Sequence, residues 1–163
     1  MTNIDWHHNL FINNSHRNPL LRSKSVRMVN NLYYNQRFYK IQAGGGISLD
    51  VISNIFLAGP MYGDSVGNHH PVQAFAGHGL TAPGTPLVYM LGNKGIFQPN
   101  PAGDQWVMTQ RVDGENGNTY MGQIPTTWRK GAPLPNTTHP IIAESVKYLR
   151  VNHVADSRGI QET

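Results

Sequence analysis

The chain has 163 residues, no cysteine and a formal net charge of +4 at pH 7, with charged residues at 13% of the total where about 25% is usual. One domain of that length buries roughly 70% of its unfolded surface. Disulfides and thiolate-metal centres are excluded, and the longest apolar runs, Ile55 to Ala58 and Leu87 to Leu91, fall far short of the roughly 20 residues a membrane span needs.

Residues 1 to 40 hold six cations, Arg17, Arg22, Lys24, Arg27, Arg37 and Lys40, against Asp5 alone, while the remainder of the chain is nearly balanced. Such segregation marks a segment that contacts something acidic. Up to about Val29 the apolar residues are isolated among Asn, His and Arg. They are too sparse for a core of their own, so the segment is predicted to be an extended basic arm lying on a neighbour. Its expected partner-binding residues are Trp6, Leu10, Phe11, Arg17, Leu20, Leu21, Arg22, Lys24 and Arg27. The cations alternate with Leu20, Leu21, Val26, Met28 and Val29, which suits a mixed apolar and ionic seam with a protein better than a phosphate groove. Nucleic acid is the less favoured partner for the same reason. Tyr33, Tyr34, Phe38 and Tyr39 are read as strand residues packing a sheet rather than as a base-stacking platform. The N-terminus lacks the positive start, apolar centre and cleavage site of a secretory leader, and none is expected.

The arm is predicted to end at residue 40, its last stretch, Leu32 to Ile41, entering a sheet, with the body spanning 41–163. Ala43-Gly44-Gly45-Gly46 lacks the Lys-Ser/Thr ending of a phosphate loop and reads as an elbow between the two. Ile47 to Leu57 alternates Ile47, Leu49, Val51, Ile55 and Leu57 on odd positions, the pattern of one strand with a buried face. Further strands are predicted at 86–91, 95–98, 105–112, 119–124 and 145–154, with at most one helical turn at 140–144. Asp113-Gly114 and Asn116-Gly117 supply the positive φ angles of a tight reversal, so the strands before and after them should be antiparallel neighbours. Residues 60–85 and 125–140 are long Gly/Pro-punctuated connections of the functional or interfacial kind. The predicted fold is all-β: a single antiparallel β-sandwich or jelly-roll-like domain with long loops.

No motif reaches the strength of a catalytic signature. His7-His8 and His69-His70, with His16, His78, His139 and His153, lack ligand spacing such as HxH or HExxH, and no metal or cofactor is expected. Gly63-Asp64-Ser65 resembles the nucleophile block of the SGNH esterases, but the late DxxH that would supply the base is replaced by Asn152-His153 and Asp156 in the wrong order. Asn13-Asn14-Ser15 and Asn136-Thr137-Thr138 fit the glycosylation triplet and are read as chance matches.

Asn, Gly, Gln, Ser and Thr replace the missing charges, and such groups enter wet interfaces without the desolvation cost of ions. The composition therefore favours an assembled subunit, and a homo-oligomer, over a free monomer. Low charge, Asn/Gly-rich loops, the absence of cysteine and a basic arm together resemble virion structural proteins of tailed bacteriophages, such as capsid decoration or head-tail proteins. That resemblance implies a non-enzymatic subunit, made in the host cytoplasm, that anchors to neighbouring virion proteins through its arm. A carbohydrate-binding module is the alternative, with Trp106, Trp128 and Tyr120 as its sugar platform.

Overall fold

The computed structural model describes residues 2–64, 70–77, 83–113, 119–135 and 141–144. The chain winds through three faces per turn. The first coil carries β1 (Ile4–His7), β2 (Leu10–Ile12) and β3 (Leu20–Leu21), and the second β4 (Ser25–Val29), β5 (Leu32–Tyr34) and β6 (Ile41–Gly44). The third carries β7 (Ser48–Ile52), β8 (Ile55–Leu57) and β9 (Val72–Phe75), and the fourth β10 (Leu87–Leu91), β11 (Lys94–Gly95) and β12 (Thr109–Asp113). Each strand pairs in parallel with its counterpart one coil away, giving sheets β1-β4-β7-β10, β2-β5-β8-β11 and β3-β6-β9-β12, the last extended by antiparallel β13 (Thr119–Tyr120). This is a parallel β-solenoid.

The antiparallel sandwich or jelly roll expected above is therefore incorrect, and the reason is local. Strands a few residues apart with short polar connections fit a hairpin meander as well as a solenoid, but here sequential strands lie on different faces and the pairing partner is a full coil away. Ile47 to Leu57 shows the difference: it is two strands, β7 and β8, in different sheets, bent at Ser53-Asn54. The stretch 105–112 likewise divides into a 3-10 turn at Gln105–Met108 followed by β12. The hairpin prediction is met, with Val112 opposite Tyr120 and Asp113 opposite Thr119 in antiparallel register. The strand predicted at 145–154 lies outside the described residues, and Ile141–Glu144 is not helical.

Residues 1 to 40 are not an extended arm. They make the first coil and most of the second, and Leu21, Val26, Met28, Leu32 and Tyr33 are core residues. The apolar side chains judged too sparse for a core suffice because each stacks on the equivalent residue of the next coil. Ala43-Gly46 is no elbow either: it ends β6 and turns into β7, with Gly45 at φ 71°.

One corner sets the register. Between the first and second faces each coil has two residues, His8-Asn9, Asn30-Asn31, Ser53-Asn54 and Gly92-Asn93. The first of each pair is left-handed, at φ 54°, 56°, 52° and 66°, a conformation Asn and Gly adopt at low cost. The second is always Asn. Asn31 Oδ1 accepts from the Asn9 backbone and side-chain amides, Asn54 Oδ1 from both amides of Asn31, and Asn93 Oδ1 from both amides of Asn54, all at 2.9–3.0 Å. Gln105 Oε1 ends the ladder, accepting from both amides of Asn93.

Inside, the coils stack like on like. Val26, Leu49 and Val88 form one column of the first sheet, Met28, Val51 and Met90 another. On the second face Phe11, Tyr33 and Phe56 stack ring on ring, with centroids 4.7 and 4.9 Å apart. That column ends at Gly95, where a Cβ would lie 3.2 Å from Phe56 and Met108 fills the space beyond. On the third face Gln42, Gln73 and Gln110 form a buried amide row.

Lys40 is 2% exposed, its Nζ donating to Phe38 O at 3.1 Å and lying 4.7 Å from the Tyr62 ring centre. Burial lowers its pKa to about 8. The unfolded chain keeps this proton up to about pH 10.4 and the folded chain releases it near pH 8. The unfolded state binds more protons in between, so stability is expected to rise with pH across that window, by about 2 kcal/mol. Tyr33 and Tyr62, whose pKa values burial raises, act in the opposite sense only at higher pH. Urea melts at pH 7.5 and 9.5 check this: Lys40→Met should abolish the rise and be the more stable protein at pH 7.5.

Candidate interface at the open first coil

The two ends of the solenoid differ. At the fourth coil every strand is met. β10 bridges Arg129 and takes the Lys130 N–H on Val88 O at 2.7 Å, β11 is closed by paired bonds between Gly95 and Gln98, and β12 is covered by β13. Ile124 and Trp128 fill the core above it, Trp128 at 6% exposure. Among the described residues, β1, β2 and β3 of the first coil each pair on one side only.

The side chains follow the same gradient. Trp6 occupies the column of Met28, Val51 and Met90, yet it is 37% exposed where Met28 is 0%. It lies nearly parallel to Phe11, with centroids 6.1 Å apart, as the last ring of the aromatic column. Ile4, Leu10, Phe11 and Leu20 are half-buried, whereas their counterparts one coil on are enclosed. Among the described residues the result is an apolar end face, bordered by three unpaired strand edges.

Of the residues predicted to bind a partner, Trp6, Leu10, Phe11, Leu20 and Leu21 are thus brought together in this coil, Leu21 being enclosed in the core. Arg17, Arg22 and Lys24 are exposed beside β3, Arg17 donating to Tyr39 Oη at 3.1 Å. Arg27 is placed elsewhere. It is 5% exposed on the second coil and grips Asp5 with two bonds of 2.6 and 2.8 Å, and that bond holds the Asp5 carboxyl below its usual pKa. An arginine so paired is not available to a neighbour's carboxylate.

Sequence reading missed Asn9. Its amide donates to His7 O and Asn31 Oδ1, but among the described residues nothing donates to its own Oδ1. The clue was present as a repeated corner, His-Asn-Leu-Phe, Asn-Asn-Leu-Tyr and Ser-Asn-Ile-Phe at residues 8, 30 and 53, whose spacing of 22 and 23 residues is the period of a solenoid.

A second concave region lies on the outer face of the first sheet. Residues 131–135 and 141–144 cross it. Lys130 Nζ and the Leu134 N–H hold Asp50 at 2.6 and 2.7 Å, Asn30 exchanges two bonds with Ile142 and Glu144, and His8 meets Glu144 at 2.9 Å. Beneath them is a cleft of about 540 Å³ lined by Val29, Ile52 and Leu91 together with Arg27, Asp50 and Tyr89. Of the carboxylates on this face, Asp5 is engaged by Arg27, Asp50 by Lys130 and Glu144 by His8. Among the described residues no three His, Asp or Glu side chains converge as metal ligands, and no helix is long and apolar enough to cross a membrane. Ser65 lies outside the described residues. Of the proposed sugar platform, Trp128 is buried under the Arg111 guanidinium, Trp106 is half-buried with Arg129 at 4.6 Å from its ring, and the Tyr120 side chain lies outside those described.

Comparison with protein-family models, with curated proteins and with solved structures gives no match.

Proposed function

We propose that this chain is a non-enzymatic structural subunit of a larger assembly, held to a neighbouring protein through its first coil. The observation that carries this reading is the asymmetry of the ends: among the described residues the fourth coil is closed by the chain itself, while the first leaves three strand edges unpaired and Trp6 37% exposed. Open edges recruit other strands, and solenoids need their terminal coils covered. An exposed Trp in an apolar surround is the side chain on which binding energy concentrates. A bacteriophage virion is the assembly favoured by the low charge and the Asn/Gly-rich composition.

The test is a double variant, Trp6→Ser with Leu20→Ser, carried through assembly in place of the natural chain. Both side chains sit at the end of the core, so the variant should melt within about 2 kcal/mol of the parent. Native mass measurement of the purified assembly should show its stoichiometric copies lost. Normal incorporation of the folded variant would refute the reading.

A further inference from the structure

We infer that the open first coil seats a parallel-stranded coil supplied by a different protein, one that presents carboxylates opposite Arg17, Arg22 and Lys24. This rests on the first coil being the contact end, and it adds the geometry, the polarity and the charge of what sits there.

The asparagine ladder has a direction. Every Oδ1 in it accepts from the backbone and side-chain amides of the corner in the coil before it. Asn9 Oδ1 is therefore an acceptor in want of an N–H delivered from one strand spacing below, about 4.8 Å away. A loop or helix laid on the end would cover Trp6 but would not present strand edges to β1, β2 and β3 together. A coil with the same three faces would donate to Asn9 Oδ1, cover Trp6 and pair with β1, β2 and β3 in one register, a form of strand addition.

A second copy of this chain does not fit. Placed end to end with its own first coil, it would set Asn9 Oδ1 against Asn9 Oδ1 and add a second set of cations at the rim. Placed head to tail, it would have to offer its fourth coil, where Gln105 ends the ladder and residues 119–130 occupy the strand edges and the core. Charge then selects the partner. Arg17, Arg22 and Lys24 are exposed on the first coil, and its lone carboxylate, Asp5, is taken by Arg27. An acidic edge meets this rim without like-charge repulsion. A homo-oligomer of the kind the composition suggests would have to form through the flanks.

The experiment adds the missing coil in cis. A duplicate of residues 26–48 is placed before Ile4 of the full chain, so that the copy of Val26 falls under Ile4 and the copy of Asn31 under Asn9. Hydrogen exchange of the β1, β2 and β3 amides should slow at least about tenfold, and Asn31→Ala within the copy should reverse most of the gain. Changing Tyr39 of the copy, the residue whose counterpart in the natural second coil meets Arg17, to Glu should slow exchange further, an increment removed by about 0.5 M salt. Unchanged exchange in the chimera, or slowing by Lys at that position equal to that by Glu, would overturn the inference. So would sedimentation of the natural chain as an end-to-end dimer that Trp6→Ser dissolves. If Trp6→Ser with Leu20→Ser abolishes incorporation while the chimera gains nothing, the contact end stands and the seated coil falls. If incorporation is indifferent to that variant, the contact end itself is lost.

Discussion

Asn54→Ala is expected to destabilise the protein by about 4 kcal/mol. Asn54 is fully enclosed, and its Nδ2 donates to Met28 O, Ile52 O and Asn93 Oδ1 while its Oδ1 accepts both amides of Asn31. Truncation orphans the buried Asn31 N–H and the Met28 carbonyl in a site closed to water, each costing about 1–3 kcal/mol, and leaves a small cavity as well. Asn9→Ala removes the same side chain from the exposed end of the ladder and should cost no more than about 1 kcal/mol, because water replaces what is lost. Asn54→Asp keeps the acceptor for Asn31 but turns lone pairs toward Met28 O, Ile52 O and Asn93 Oδ1. It should be worse than Ala at neutral pH and recover in part in acid, where the carboxyl regains a donor. Urea midpoints of the three variants decide the matter. Equal losses for Asn9→Ala and Asn54→Ala would mean that side-chain stacking, rather than the ladder, holds the coils in register.

The same residues explain how much of this fold was legible beforehand. Alternation acts over a few residues and marked strands at 86–91 and 105–112, of which Leu87–Leu91 and residues 109–112 are strand. Of 95–98 and 119–124 only Gly95 and Thr119–Tyr120 are. Gly chemistry marked Asp113 and Thr119 as the two sides of a reversal. The architecture was not marked, because a solenoid is specified by what recurs rather than by what adjoins. Asn9, Asn31 and Asn54 each look like ordinary turn residues, and only their spacing of 22 and 23 residues reveals that they stack. Between the third and fourth coils the spacing jumps to 39 residues, from Asn54 to Asn93, because residues 58–71 and 76–86 are inserted between faces. That breaks the period just where a third recurrence would have exposed it. The basic stretch misled in a different way. Sparse apolar residues signal an arm when each must find a partner in its own segment. In a solenoid Phe11 finds Tyr33 and Leu21 finds Ala43. Trp6, Leu10, Phe11 and Leu20, expected as contact residues of an extended arm, lie instead together on the first coil. Arg27 was included on charge alone, and sequence offers no sign that Asp5, 22 residues earlier, is its partner.

Lys130→Met should cost about 3–5 kcal/mol, far more than loss of an exposed ion pair. Asp50 is 0% exposed on the outer face of β7, beneath the segment that returns across the sheet, and its two oxygens are taken by Lys130 Nζ and the Leu134 N–H. Removing the ammonium leaves a buried carboxylate with one backbone donor and the electrostatic help of Arg27, which is itself paired with Asp5. The penalty comes from the stranded charge rather than from the lost attraction. Asp50→Asn, which keeps an acceptor for Leu134, should therefore be milder, and the double variant Asp50→Asn with Lys130→Met should be more stable than Lys130→Met alone. Little change with salt is expected, since the pair is enclosed. A cost under about 1 kcal/mol for Lys130→Met, or a double variant worse than either single one, would show that water reaches Asp50 and that the returning segment does not seal the face. In that case the cleft beneath it would hold a free carboxylate, which would count against the non-enzymatic reading.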